Sequence, residues 1–79
     1  MLSETHDLVH ELPEFRDLIH ELKTKDNHFA RLFDEYHRVN KSVLRMEEGV
    51  ENVSDETLEE EKKKRLALKD ELFKILQAA

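Results

Sequence analysis

From Phe29 the chain places an apolar or amphipathic side chain at every third and then fourth residue: Leu32, Tyr36, Val39, Val43, Met46 and Val50. A 3-4 alternation keeps side chains on one stripe of an α-helix, whereas a strand would scatter them over both faces. The repeat runs for three heptads, so the stripe is the seam of a coiled coil or a helical hairpin. A helix carrying it must lay that seam against another helix.

The rest of the chain must supply the covering helix, or a second copy must. With 79 residues there is one small domain at most. Charged residues make up 41%, and there is one Gly and one Pro, a composition suited to long helices. So short a chain buries little apolar surface, and small domains commonly add a disulfide, a metal or an oligomer contact. There is no cysteine, which excludes disulfides and thiolate metal sites and leaves oligomerisation as the common staple.

Residues 1–26 carry seven acids against three bases, so most of the net charge of −6 sits there. Such a surface disfavours nucleic acid and anionic membranes as generic partners. Before the C-terminus the longest wholly apolar run is Leu66-Ala67-Leu68, far short of the roughly 20 residues of a spanning helix. No signal peptide is read at Met1 to Asp7. The expectation is a soluble, cytoplasmic protein with no membrane partner.

The spacing predicts three helical stretches. Leu8, Leu12, Phe15, Ile19 and Leu22 share one helical face, with Ser3 as a plausible N-cap. Pro13 interrupts that face. Either a short helix ends near Glu11 and another starts with Pro13 in its first turn, or one helix kinks there. The unbroken phase slightly favours a kink or a tight break with near-continuous direction. Asp26 is placed to cap a second helix, over about residues 27–48.

Gly49 stands where that helix should stop, in the left-handed role. Ser54 is placed to cap a third helix, over about residues 55–77, with Val53 and Leu58 at hydrophobic-staple spacing around it. Glu59, Glu60 and Glu61 precede Lys63, Lys64 and Arg65 by four residues, the favourable orientation for pairs along a helix.

Two long helices of matched length across a short turn predict an all-α fold, an antiparallel hairpin with an N-terminal helix broken or kinked at Pro13. Residues 1–24 form the arm and 25–79 the hairpin of a single domain. Setting Met46 opposite Leu58 puts Val39 opposite Arg65, Tyr36 opposite Leu68, Leu32 opposite Leu72 and Phe29 opposite Ile75. Apolar residues are left over beside the seam. The candidate interaction face is Phe15, Ile19, Leu22, Phe33, His37, Asn40, Leu44, Phe73 and Leu76. The arm or a second copy must cover it.

Three segments in order resemble the YdcH-like family of small bacterial proteins. They are Pro13-Glu14-Phe15-Arg16-Asp17-Leu18-Ile19, then Phe29-Ala30-Arg31-Leu32-Phe33-Asp34-Glu35-Tyr36-His37, then Lys62-Lys63-Lys64-Arg65-Leu66-Ala67-Leu68-Lys69-Asp70-Glu71-Leu72. The similarity covers nearly the whole chain, and the last segment is the most specific. It implies a small helical, coiled-coil bacterial protein with no established activity and no catalytic residues to carry over. Short family members start near the equivalent of Pro13, so the residues before it are an extension.

Other chemistry has plainer readings. Asp7, Asp17 and Asp34 each stand three residues before a histidine, His10, His20 and His37, and His6 lies four before His10. Such spacing can chelate a metal from one helical face, but dinuclear carboxylate bundles also need core glutamates, and no Glu of the second helix lies in the seam. Surface histidines paired with Asp are the plainer reading. The Lys62–Arg65 run follows Glu59–Glu61, which neutralises it in place, and the aromatics that would stack on bases lie in the apolar stripes instead. Asn40 flanks the seam, where a buried Asn can set helix register. No catalytic, cofactor or metal residues are assigned. The reading is a non-enzymatic helical protein working by self-association or by docking to a partner helix. The alternatives are a His/Asp metal-binding protein and, more weakly, a nucleic-acid-associated adaptor.

Overall fold

The computed structural model describes residues 8–49 and 52–79. A short helix α1 (Leu8–Glu11) leads through a 3-10 turn (Pro13–Phe15) into α2 (Arg16–Lys25), followed by α3 (Asn27–Glu47) and α4 (Asp55–Ala78). The predicted cap Ser3, the metal-spacing candidates His6 and Asp7, and the seam's last residue, Val50, lie outside the described residues. The fold is all-α. Lys62 of α4 meets Glu47 of α3 at 3.3 Å, and Arg65 meets Asn40 at 3.1 Å. Partner numbers rise on one helix as they fall on the other, so α3 and α4 are antiparallel.

Local chemistry sets each boundary. Pro13 has no N–H to give to the carbonyl of Val9, and it steers the residue before it out of the helical region. Leu12 accordingly sits at φ −131° and ψ 66°. The N–H of Phe15 donates to the carbonyl of Leu12 at 3.0 Å, and helix resumes at Arg16. Proline therefore interrupts the N-terminal helix with a 3-10 turn, as the helix broken or kinked at Pro13 was expected to be.

Asp26 alone joins α2 to α3. Its N–H donates to the carbonyl of Leu22 at 2.9 Å, closing α2. Its carboxylate accepts from the N–H groups of His28 and Phe29 at 2.9 and 3.1 Å, opening α3. One extended residue thus ends one helix and caps the next. Gly49 lies at φ +80°, where a side chain would be strained. Ser54 Oγ accepts from the N–H of Thr57 at 3.1 Å and starts α4. Of the expected staple, Leu58 packs against the core while Val53 stays 39% exposed.

The core draws on all three arms of the fold: Leu8, Leu12 and Ile19, then Phe29, Tyr36, Val39 and Val43, then Leu68, Leu72 and Leu76. At the far end of α4 the buried residue is Leu76, and Ile75, expected opposite Phe29, is only half-buried. Residues four apart drift about 40° around a helix at each step. The row from Leu68 to Leu76 therefore turns from α3 toward Phe73, which meets the arm. The molecule has two unlike ends. Three helices pack where α3 begins and α4 finishes, and only two pack near Gly49.

Candidate interaction face

Two of the apolar residues left beside the seam meet across the arm and α4. The rings of Phe15 and Phe73 meet edge to face, with centroids 5.9 Å apart. Offset and edge contacts of this kind suit the charge distribution of aromatic rings. Lys69 Nζ donates to Glu11 Oε1 at 2.8 Å, tying α1 to α4 beside that ring pair. Ile19 is fully buried, and Leu22 and Leu18 pack against the same core.

On α3 an aromatic row follows the i, i+4 spacing. Phe33 stacks on Phe29 at 6.2 Å and meets the His37 ring at 4.4 Å. His37 in turn lies edge-on to Tyr36 at 5.4 Å. Lys23 of α2 sets its ammonium 4.6 Å from the centre of the Phe33 ring. The cation caps the exposed side of the ring, where its attraction to the ring face is useful and its hydration is kept.

The nine candidate residues therefore divide. Phe15, Leu22, Phe33 and Phe73 form a half-buried rim over a core that contains Ile19 and Leu76. Asn40 is buried, 6% exposed, and accepts from Arg65 Nη1. Leu44 is half-buried nearer the turn and stands outside that cluster. Ile19 and Leu76 are thus interior residues of this chain, where the arm folds back on its own hairpin, and Asn40 is interior beside Arg65 of α4. Sequence reasoning did not count Leu8 and Leu12 in the face, although their phase with Ile19 signalled it. The Glu11–Lys69 and Asn40–Arg65 pairs had no sequence signal.

The other motifs are placed as follows. Asp17 has a side chain 95% exposed and lies 3.6 Å from Arg16, while His20 is exposed. The ring of His37 is taken up by the aromatic row. Among the described residues no three His, Asp, Glu or Cys side chains gather as a metal site would require. Within the basic run, Lys62 pairs with Glu47, Lys64 with Glu61 at 3.1 Å, and Arg65 with Asn40. No described helix is long and apolar enough to cross a membrane.

A family model described as "Protein of unknown function (DUF465)" matches residues 29–76, which is the hairpin from the first seam residue to Leu76. Over 65 residues the chain is 38% identical to the "Uncharacterized protein YdcH" of Escherichia coli (strain K12), covering 82% of this chain and 88% of that one. The "Uncharacterized protein YdcH" of Shigella flexneri matches with the same figures. No solved structure matches.

Proposed function

The chain belongs to the DUF465 family of proteins of unknown function, and from that premise we propose that it is a non-enzymatic association module. Its hairpin receives an amphipathic helix in an apolar groove, and it works by self-association or by docking a partner helix. One observation carries the reading. The family-matched hairpin, residues 29–76, leaves an apolar face that a third amphipathic segment completes, with Leu8 and Ile19 both at 0% exposure. Helix-in-groove binding uses this arrangement, with anchors on one helical face seated between two others. Here the arm supplies the anchors. A cytoplasmic setting goes with this reading.

The test uses the full chain. Sedimentation equilibrium over about a hundredfold range of concentration reads self-association. Affinity capture from the source cell, with each captured protein then purified and titrated, reads partner docking. A mass that rises with concentration, or a purified partner that binds saturably, supports the proposal. A monomer throughout, with no captured protein that binds when purified, overturns it.

A further inference from the structure

The side of α4 turned away from the hairpin carries a pattern that fits a second copy of itself. Glu59, Lys63, Leu66, Ala67, Asp70 and Lys74 are all exposed, and Leu66 is 56% exposed, more than any other large apolar side chain described. At 100° per residue these six fall within about a 100° arc, opposite the buried row of Leu68, Leu72 and Leu76. The four charges have no ion-pair partner within the chain among the described residues. Glu59 and Lys63 stand four apart and still do not pair, although the sequence predicted that they would.

The order along the stripe is acid, base, Leu-Ala, acid, base. Turned end for end about a two-fold axis between Leu66 and Ala67, it meets its own complement. Lys63 then meets Asp70 of the second copy, Glu59 reaches its Lys74, and Leu66 meets its own copy on one flank of the seam. The symmetry gives each ion pair twice, as an isologous interface does. The four charges lie within about 30° of the line midway between the two helices, so both kinds of ion pair and the Leu66 contact form in one arrangement. A parallel, in-register arrangement would set like charges on like. A shallow acidic groove lined by Asp55, Glu56, Glu59, Glu60 and Lys63 lies where Lys74 of the second copy would arrive.

We infer that the outer face of α4 is the surface through which two copies of this chain associate, antiparallel, about a two-fold axis at Leu66–Ala67. The inference rests on the association reading above and supplies the surface for its self-association branch. The contact is small and largely ionic, so the dimer is weak and loosened by salt.

The test begins with sedimentation equilibrium of the full chain at about 0.02 M and about 0.5 M salt. Dimerisation at low salt that weakens at high salt is the expected result. Lys63→Glu alone and Asp70→Lys alone should each weaken it by about tenfold or more, and the combined variant should restore it to within about threefold of the starting chain. Because the chain has no cysteine, a single introduced thiol reports geometry. Leu66→Cys should cross-link to its own copy on oxidation, and Lys74→Cys should not, since two such positions would stand about 22 Å apart along the paired helices. Circular dichroism of each variant confirms the fold, and all the changed side chains are exposed. A dimer that ignores the charge swap and cross-links at neither position overturns the inference and leaves the association reading intact. A monomer under all conditions overturns the inference and confines the association reading to a foreign partner.

Discussion

Arg65 on α4 donates a hydrogen bond across the hairpin to the side-chain carbonyl of Asn40 on α3, over 3.1 Å. Asn40 is 6% exposed and is the one polar residue buried in the described core, while Arg65 is half-buried. The Arg65 stem covers apolar surface near the seam and its head reaches both the amide and the solvent. The bond therefore pins one point of register between two helices whose other core contacts are non-directional.

Removing the two partners should have unequal effects. Arg65→Ala strips a buried amide of its donor and should cost about 1–2 kcal/mol in urea unfolding. Asn40→Leu leaves a guanidinium that can turn to water, and should cost less or stabilise. Its penalty should appear as a looser register, read by paired distance labels across α3 and α4. Equal losses from the two variants would mean that the bond contributes nothing beyond packing.

Gly49 isolates a backbone effect. A Cβ built there meets no atom within 4 Å, so crowding is not at issue, and only the φ of +80° opposes a side chain. Gly49→Ala should cost about 1 kcal/mol in thermal or urea unfolding, and Gly49→Asn clearly less. Stability unchanged by alanine would show that the turn readjusts.

Asp26→Ala removes the acceptor for two N–H groups at the start of α3. The expected loss is about 1 kcal/mol. Alanine is also the best helix former, at the only residue separating α2 from α3. The variant should therefore populate a continuous α2–α3 helix that swings the arm away. Small-angle scattering should show a species longer than the 39 Å extent of the native molecule.

Arm docking has its own signature. A double-mutant cycle on Phe15 and Phe73 should show coupling of about 0.5–1.5 kcal/mol, the worth of an edge-to-face ring pair. Ile19→Ala, at a fully buried position, should cost about 2–4 kcal/mol and expose the arm to limited proteolysis before the hairpin. Zero coupling between the rings would place the arm elsewhere on the molecule.

These features were legible in the sequence to different depths. Asp26, Gly49 and Ser54 act on groups within three or four residues, so their roles follow from local chemistry, and the helix ends fall within a residue of the positions predicted. The seam is periodic, and Phe29, Tyr36, Val39 and Val43 are buried as its period requires. What could not be read depends on a third body. Leu76 displaces Ile75 from the core because α4 packs against the arm as well as α3. Lys62 turns to Glu47 and Arg65 to Asn40 on α3, and Glu61, expected to pair with Arg65, pairs with Lys64. Glu11 and Lys69 stand 58 residues apart, and nothing local links them. The candidate face was visible as surplus apolar surface, but a pattern of residues does not say whose helix covers it.

The claim that the hairpin is a helix-receiving groove is tested most directly by emptying it and refilling it. Leu12→Asp with Ile19→Asp in the full chain places charge where the arm is buried and should release it. A fluorescent peptide spanning residues 8–25 is then titrated onto that variant, with anisotropy and circular dichroism read together. The account predicts saturable binding with a gain in helix, lost when the peptide itself carries Ile19→Asp. A variant that neither binds the native peptide nor gains helix on its addition would contradict it.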